Sequence, residues 1–467
     1  MGHKTRRPGC GDGDSPVAKI FRTGRQYVAD TLNIWSLTIL GEEMYVVSSP
    51  NDVLLVYREP IKLDADFAVK DVLADFGVTP DNIAKIFDRN GTPKHWMDYC
   101  HEHFKSQMHP GERFNILQEK FLGNIDASLQ WDRISGNMLL SNSTTSKTVS
   151  LWKWCHEVLV NSATLSFFGK AIYRVCPTIV PDFFIFDADA WKLPYRYPKF
   201  AAREMYDAKA RGETAFAEFL ALPAEERQDA SWIVNTIRDG LSGLGVDDPK
   251  QCGAMLFSLH RVVNSNAYRL CFWSLAFLLH DPRLLSIIKE EIKPALKDDG
   301  GPDMHYLVEN CPLLASFYEE ILRWTNDPIS IRLVTEEVTI GRTTLKPGRK
   351  LIMPYRPMHY DKAIFGENAS EFDAGRFLNN KGLYRSTSWH PFGGGAMYCP
   401  GRFIAKREVY MFVVLALSRF DMELVSKNGK SGKQKFPTLD ETIPAGGILP
   451  PIPEDDVIVR LRKAGAV

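Results

Sequence analysis

One cysteine in this sequence is placed where a thiol can act as a metal ligand. Cys399 comes after the three glycines at 393–395 and precedes Pro400, Gly401 and the amphipathic run 402–419. Glycine lets backbone groups approach one another closely, and a helix N-terminus stabilises a thiolate relative to a thiol. The pattern therefore predicts a metal-ligating thiolate in a tight loop. The alternative is a structural cysteine, since free cysteines are among the most buried residues.

The segment around this cysteine has the spacing of a known haem-binding signature. The string FGGGAMYCPGRFIA resembles that of the haem-thiolate monooxygenases, the cytochromes P450, through residues that recur at the family offsets: Phe392, Gly395, Cys399, Gly401 and Ala405. The resemblance implies that Cys399 is the axial ligand of the iron of haem b (iron-protoporphyrin IX), whose thiolate favours cleavage of the O–O bond. It also implies that Phe392 packs beside the sulfur and that the backbone at Gly393, Gly395 and Gly401 helps to bind the cofactor.

This copy of the signature departs from the family in how it anchors the haem propionates. The position two residues before the cysteine, commonly basic, is Met397. The chain has no clear helical motif with a tryptophan and an arginine four residues apart. Arg332, in the run Ser330-Ile-Arg332, resembles the strand arginine of the family that reaches a propionate, and is the predicted substitute.

A second motif lies upstream, in the helical run NCPLLASFYEEILRW at 310–324. Glu320 and Arg323 are three residues apart and so share one helix face. By itself such a pair is most often a solvated surface pair, but here it resembles the buried ExxR pair of the family. Arg376, in FDAGRF, is the predicted third member, although Ala374 stands where the family has proline. A guanidinium fork suits bidentate pairing with a carboxylate, and the predicted role is to hold the loop that carries Cys399.

The predicted long helix 248–280 contains a polar centre at 264–266, asparagine-serine-asparagine. A polar cluster within a buried helix needs partners or a purpose. In the family, an acid and an alcohol here deliver protons to dioxygen. Asn266 falls at or next to the alcohol position and no carboxylate precedes it, so Asn266 and Ser265 are the predicted catalytic residues. The alternative is that these residues only kink the helix.

Composition and pattern set the fold class. The equal numbers of basic and acidic residues, 57 each, argue against nucleic acid as a partner. The eight cysteines form no paired motif, which fits a reducing compartment. Periodicity predicts a hairpin within 33–56 and then a helix beginning at Pro50, strands near 338–340 and 350–353, and helices at 64–76, 92–108, 112–138, 149–168 and 197–220. The pattern predicts a mainly α fold with a small β lobe. The resemblance, which extends from about residue 33, implies the cytochrome P450 fold and a monomer with one domain spanning 33–467.

Residues 1–32 form a polar N-terminal segment with the basic run KTRRPG. Full-length eukaryotic members of the resembled family usually carry a membrane helix before basic residues. The segment is therefore interpreted as the remnant left after removal of a membrane anchor. The protein is expected at a membrane surface, on the cytoplasmic face of the endoplasmic reticulum. The alternative is a naturally soluble protein with a frayed terminus.

The resemblance implies an oxidoreductase, and LPYRYPKFAAREM at 193–205 is similar to the sterol 7α-hydroxylase and prostacyclin synthase branch. The expected function is that of a fungal-type biosynthetic monooxygenase that oxidises a lipophilic secondary metabolite, terpenoid or sterol. Electrons would come from NADPH through NADPH-cytochrome P450 reductase, which would dock on the basic residues 402, 406 and 407. An isomerase or dehydratase that needs neither dioxygen nor reductase is the alternative, and a non-catalytic haem binder is a third interpretation.

Overall fold

The fold is described from a computed structural model that covers residues 33–39, 41–297, 301–426 and 434–465. The segment 1–32 and its basic run lie outside these described residues. Most of the described chain is helical and the strands form three small sheets. The predicted fold class, mainly α with a small β lobe, is therefore confirmed.

The α-helices are, in chain order, Pro50–Tyr57 (α1), Asp66–Asp75 (α2), Pro80–Phe87 (α3), Trp96–Met108 (α4), Glu112–Ser128 (α5), Leu151–Phe168 (α6), Ala171–Val175 (α7), Ile179–Asp189 (α8), Arg203–Ala221 (α9), Trp232–Gly243 (α10), Pro249–Asn264 (α11), Ala267–His280 (α12), Pro282–Ile292 (α13), Met304–Glu309 (α14), Pro312–Thr325 (α15), Arg356–His359 (α16), Lys362–Phe365 (α17), Arg376–Asn379 (α18) and Arg402–Arg419 (α19). Short 3₁₀ helices occur at Trp131–Arg133, Gly136–Met138, Ala190–Lys192, Lys199–Ala201, Ala224–Arg227, Lys293–Ala295, Lys381–Arg385 and Gly395–Met397.

The strands are Ile34–Ile39 (β1), Glu42–Val47 (β2), Leu63–Asp64 (β3), Leu139–Asn142 (β4), Lys147–Ser150 (β5), Ile329–Val334 (β6), Val338–Ile340 (β7), Thr343–Leu345 (β8), Lys350–Pro354 (β9), Phe420–Leu424 (β10) and Ile458–Lys463 (β11). By internal contacts the chain divides into two compact units. Of the described residues, the first unit comprises those within 33–69, 272–399 and 434–457, and the second those within 70–271, 400–426 and 458–465. The predicted single domain over 33–467 stays a prediction.

The first unit contains a five-stranded sheet in the order β1-β2-β9-β6-β3, in which only the β2–β9 pair is parallel. Its buried face carries branched and aromatic side chains that pack into one core, as expected for strand residues with one face covered. Pro50 occupies the first turn of α1, where its missing N–H costs nothing, and the Ser49 hydroxyl accepts a hydrogen bond from the Asp52 amide at 3.4 Å. The predicted hairpin and the helix after it are confirmed.

The second unit is mostly helical, with a four-stranded antiparallel sheet in the order β10-β11-β5-β4. Several predicted helices have different bounds. The helix expected over 92–108 begins at Trp96, and the helix expected over 197–220 begins at Arg203, after a 3₁₀ turn. The helix expected over 112–138 ends at Ser128, and two 3₁₀ turns come after it, the second starting at Gly136, whose φ of +69° no α-helix accepts. The helix expected over 149–168 begins at Leu151, because residues up to Ser150 pair with β11 and the Ser150 side chain caps the helix.

The predicted single helix 248–280 is interrupted. The structure has α11 and α12 separated by a turn at Ser265 and Asn266. Within the described residues, no one helix has the length and apolar composition needed to cross a bilayer, although the bent pair Pro249–His280 and Pro282–Ala295, at 114°, meets both limits together.

Candidate functional site

The loop that carries the cysteine is closed by its own backbone. The Cys399 amide donates to the Phe392 carbonyl at 3.1 Å, the Gly393 amide to the His390 carbonyl at 3.2 Å, and the Tyr398 amide to the Gly395 carbonyl at 3.3 Å. Cys399 is half-buried at the end of this loop, and α19 begins three residues later with Gly401 as its N-cap. The predicted tight loop immediately before a helix is present.

Glycine is required at consecutive positions of this loop. Gly393 and Gly395 have φ values of +73° and +64°, in the left-handed region that other residues avoid. A Cβ atom at Gly394 would lie 2.6 Å from the Tyr57 hydroxyl oxygen, and one at Gly395 would lie 2.8 Å from the Tyr57 ring. The loop therefore packs directly against the last residue of α1, and a side chain there would displace it.

Glu320, Arg323 and Arg376 form one buried group, here called the guanidinium cluster. Arg323 donates through Nε and Nη2 to the two carboxylate oxygens of Glu320 at 2.7 and 2.6 Å. Arg376 Nε donates to both oxygens at 3.2 and 3.1 Å, and the Asp373 amide adds a bond of 2.9 Å. Glu320 and Arg323 have no solvent-exposed surface. The structure thus brings together the three residues that were predicted as the ExxR pair and its partner.

The remaining N–H groups of the cluster donate to backbone carbonyls of the segment before the cysteine loop. Arg323 binds the carbonyls of His359, Ala369 and Glu371 at 3.1, 2.7 and 3.0 Å. Arg376 binds the carbonyls of Phe365, Asn368 and Glu371 at 2.5, 3.0 and 2.8 Å. These carbonyls come from several turns of the segment and all bind the same two side chains. The cluster therefore fixes the positions of these turns relative to one another.

A histidine connects the cluster with the cysteine loop. The His359 carbonyl accepts from Arg323, and its ring Nε2 accepts from the His390 amide at 3.1 Å. His390 begins the segment that leads to Cys399. Burial lowers the pKa of His359 well below its usual value, with His390, Arg356 and Arg323 acting in the same direction, so the ring is neutral and its Nε2 lone pair accepts the hydrogen bond.

Charge and burial oppose each other at Arg323. Burial lowers the pKa of its guanidinium, but the hydrogen bond and the charge of Glu320 outweigh burial and raise the pKa overall. A buried pair of this kind is costly to break, because either charge left alone lacks compensation. The Arg323 guanidinium therefore stays charged beside the Glu320 carboxylate.

Arg332 lies outside the cluster, on β6. It is 7% exposed, and its Nη1 donates to the Ser330 hydroxyl at 2.7 Å and the Ile331 carbonyl at 2.8 Å. Burial lowers the pKa of this guanidinium, and no carboxylate of the described residues forms an ion pair with it. Met397 is 41% exposed. These contacts leave its Nε and Nη2 without a protein acceptor in the described chain.

The polar centre at 264–266 forms the turn between α11 and α12, here called the helix opening. The Ser265 hydroxyl donates to the Arg261 carbonyl, and the Asn264 Nδ2 donates to the His260 carbonyl at 2.8 Å. The Asn264 Oδ1 is buried and accepts no hydrogen bond from the described part of the chain. Asn266 is exposed. The helix is interrupted at Ser265 and Asn266, as the alternative interpretation expects, and Ser265 donates its proton within its own helix. The catalytic roles of these two residues stay a prediction.

The aromatic run expected on the substrate side separates into two parts. Phe183 and Phe186 are fully buried on α8, whereas Tyr195, Tyr197 and Phe200 are 55%, 37% and 87% exposed. The first part belongs to the core of the second unit and the second part lies at its surface.

Sequence reasoning missed several residues around the cysteine loop. Tyr355 is fully buried, its hydroxyl lies 2.6 Å from that of Tyr57, and its ring lies 4.9 Å from that of His390. Arg356 donates to the Trp324 and Asn326 carbonyls at 2.9 and 3.1 Å and to Glu441 at 2.9 Å. The only sequence signal was the run YRPMHYD directly after the strand predicted over 350–353, where charged and aromatic residues succeed an apolar segment.

Comparison with known proteins agrees with this geometry. Residues 270–446 match the family model described as Cytochrome P450. This range includes the guanidinium cluster, the cysteine loop and most of α12.

Three relatives cover larger parts of the chain. A cytochrome P450 monooxygenase of Gibberella zeae is 24% identical over 410 residues, covering 84% of this chain and 75% of the relative. Cytochrome P450 7A1 of Sus scrofa is 26% identical over 334 residues, 65% of this chain and 64% of the relative. Cholesterol 7-alpha-monooxygenase of Cricetulus griseus is 24% identical over 383 residues, 75% of this chain and 73% of the relative.

Proposed function

The chain belongs to the cytochrome P450 family, and from this premise we propose that it is a haem-thiolate monooxygenase that oxidises a lipophilic natural product of the terpenoid or sterol type. The observation that carries the proposal is the closed loop that presents the half-buried Cys399 just before α19. Relatives named as monooxygenases from fungi and mammals support the reaction class.

The residues around Cys399 fit a haem. The Tyr57 ring packs against Gly394 and Gly395, whereas nothing lies within 4 Å of a Cβ position at Gly393, so a flat ring can approach the backbone closely at Gly393. Arg332 is a buried cation with no carboxylate partner among the described residues, as a propionate site requires. A haem bound through a cysteine thiolate supplies iron that activates dioxygen when electrons are delivered.

The protein's part in this chemistry begins with holding the thiolate. The guanidinium cluster fixes the His359 carbonyl, and His359 in turn accepts the His390 amide at 3.1 Å. These contacts orient the segment 390–399 before any ligand binds. Preorganisation of this kind lowers the cost of positioning the ligand.

The helix opening is the proposed distal element. Asn266 would position a water or dioxygen, and the neighbouring Ser265 would help to keep the turn open through its bond to Arg261. The residue before Asn266 is a serine, so no carboxylate precedes it to deliver a proton. Proton delivery would then depend on water held by the asparagine.

This lack of a carboxylate also favours the second candidate function, an isomerase or dehydratase that rearranges its substrate without dioxygen or reductase. In either case the substrate is lipophilic. The proposed partner of the monooxygenase is NADPH-cytochrome P450 reductase, docking at the basic residues 402, 406 and 407. The proposed location is the endoplasmic reticulum membrane, on its cytoplasmic face.

The first test is the absorption spectrum of the purified protein after reduction under carbon monoxide. Wild type and Cys176→Ser should show the strongly red-shifted Soret band of a thiolate-ligated haem, and Cys399→Ser should lack it. Cys176 is the control because it is also partly exposed and lies far along the chain. A wild type without haem, or a band that survives Cys399→Ser, would overturn the assignment.

The second test separates the two candidate functions. Terpenoid and sterol substrates are incubated with and without NADPH and reductase, and with peroxide or epoxide analogues alone. Product that forms only with NADPH and reductase identifies a monooxygenase. Turnover of the analogues without reductase identifies the isomerase or dehydratase.

A further inference from the structure

One arginine of α11 carries a charge that the described residues do not neutralise. Arg261 is partly buried, and its guanidinium forms no hydrogen bond and no ion pair with the part of the chain that the structure describes. Burial lowers the pKa of this guanidinium, but an arginine stays charged at neutral pH. A cation that has lost part of its hydration is stabilised when an anion binds next to it.

The carboxylate that acts on Arg261 is already bound by other groups. Asp187 on α8 accepts from Arg269 Nη2 at 2.6 Å and from the Tyr268 hydroxyl at 2.8 Å. Arg269 repels Arg261 and so opposes the attraction of Asp187. Two guanidinium groups and one carboxylate therefore lie near one another within the second unit, and the group keeps one positive charge in excess.

Arg261 is also connected to the helix opening. Its carbonyl accepts from the Ser265 amide at 3.1 Å and from the Ser265 hydroxyl. Ser258, Arg261 and Ser265 are spaced by three and four residues and so share one face of the helix. All three keep some exposed surface, whereas Leu259 and His260 between them are buried. The excess charge thus lies on a polar face that a ligand can reach.

We propose that Arg261 binds a carboxylate of the substrate, so that the substrate is a lipophilic carboxylic acid whose acid group is remote from the carbon that reacts. The inference rests on the proposed monooxygenase function, in which Asn266 at the helix opening lies beside the reacting centre. Five residues of helix rise about 7.5 Å, so the carboxylate and the oxidised carbon belong to separate parts of the ligand. A planar guanidinium pairs with both oxygens of a carboxylate, which orients an otherwise apolar skeleton.

The first measurement compares acids with their methyl esters on the wild-type holoprotein. Abietic acid, lithocholic acid and palmitic acid represent a diterpenoid, a steroid and a linear skeleton, and each ester removes the charge and keeps the skeleton. Ligand-induced shifts of the Soret band give the dissociation constants at neutral pH. At least one acid should bind about tenfold or more tightly than its ester, because the ester loses hydrogen bonds between charged groups.

The second measurement changes the protein instead of the ligand. Arg261→Gln should weaken binding of the acid about tenfold or more and leave binding of the ester within about twofold, so the preference disappears. Arg238→Gln is the matched control, since Arg238 is exposed and pairs with Asp239 at 3.1 Å, and it should keep the wild-type preference. Arg261→Lys keeps the charge and loses the bidentate geometry. Its preference should be intermediate, and it serves as the test if Arg261→Gln does not fold.

The propionates of the haem are the other carboxylates of the holoprotein, and haem retention separates the two sources. Haem loss to excess apomyoglobin, monitored at the Soret band, should be equal in wild type and Arg261→Gln. Faster haem loss in Arg261→Gln together with an unchanged preference for the acid would assign the anion to the cofactor and overturn the proposal.

Three other results would also overturn the assignment of Arg261: acids that do not bind, acids that bind no more tightly than their esters, and a preference that survives in Arg261→Gln. Each of them would leave the carbon monoxide spectrum of the wild type in place. A wild type without a thiolate-ligated haem is a different result, because it rejects the proposed function itself.

Discussion

The guanidinium cluster and the helix opening satisfy their polar groups in opposite ways. In the cluster, Glu320 accepts five hydrogen bonds from the described residues, four from the two arginines and one from the Asp373 amide. In the opening, Ser265 and Asn264 bind carbonyls one turn back in their own helix, and the buried Asn264 Oδ1 has no partner in the part of the chain that the structure describes.

This difference indicates which region is rigid and which can rearrange. The bonds of the cluster join segments far apart in sequence, from residue 320 to residue 376, so no single segment moves without breaking them. The bonds of the opening are local and can be exchanged for water at little cost. A thiolate ligand needs a fixed position, whereas a proton-delivering element needs room for water.

The largest expected effect comes from breaking the cluster. Glu320→Gln leaves two buried guanidinium groups without a carboxylate, and breaking a buried pair costs about 3–5 kcal/mol. Thermal unfolding should show this loss, and the purified protein should contain little haem. Glu226→Gln is the control, since its pair with Arg174 at 2.9 Å is exposed, and exposed pairs contribute less than about 1 kcal/mol. Equal stability of the two variants would show that the cluster is dispensable.

Overpacking the cysteine loop should have the next largest effect. Gly394→Ala places a methyl group 2.6 Å from the Tyr57 hydroxyl, and such insertions typically cost about 1–3 kcal/mol. We expect a lower unfolding temperature and a weakened Soret band.

Gly123→Ala is the matched control, because Gly123 lies within α5 and has open space at the Cβ position. There alanine should stabilise the protein by about 0.5–1 kcal/mol. Two variants that behave alike would mean that the contact with Tyr57 does not constrain the loop.

At the helix opening the expected change is in chemistry and not in stability. Asn266→Ala should leave the free energy of unfolding within about 0.5 kcal/mol of wild type, because the side chain is exposed. Product formed per NADPH consumed should fall about tenfold or more, as expected when proton delivery is lost. Val262→Ala, also exposed and on α11, should change neither quantity. Unchanged coupling in Asn266→Ala would remove this residue from the proposed site.

The last prediction concerns a histidine in α11, one turn before the opening. Burial lowers the pKa of His260 from 6.5 to about 3. Between these two pH values the unfolded chain binds a proton at His260 and the folded chain does not. His260 therefore contributes stability that is complete above pH 6.5 and is lost as the pH falls towards 3. Between pH 5.5 and 4.5 the loss is about 1.4 kcal/mol per pH unit.

The free energy of unfolding can be measured with denaturant between pH 5.5 and 4.5 for wild type and His260→Gln. It should fall less steeply with decreasing pH in the variant, by about 1.4 kcal/mol per pH unit. Burial also lowers the pKa of His359, which binds the cluster through its carbonyl. The contribution of His359 to the pH dependence of stability is therefore kept in this variant. An identical slope in wild type and variant would mean that His260 is protonated in the folded protein.

The elements that could be predicted are those whose signals are local. The hairpin, the helix that begins at Pro50, the ExxR helix and the loop before α19 each depend on a few neighbouring residues. The end at Ser128 of the helix begun at Glu112 was not predicted, because the buried residues Leu129, Ile134 and Met138 continue an apolar pattern beyond it.

The sequence by itself determined the mainly α fold and the three charged residues of the cluster, and it predicted Cys399 as the ligand residue, because each has a type and spacing that few other folds use. Only the tertiary structure decided that Tyr57 and Tyr355, 298 residues apart, share a hydrogen bond, and that Ser265 donates its proton within its own helix. Contacts between distant segments depend on how the chain packs, and no periodicity within one segment records them. The physical reason is that residue spacing specifies which side chains share one face of a helix or strand, whereas the packing of the whole chain decides which residues contact that face.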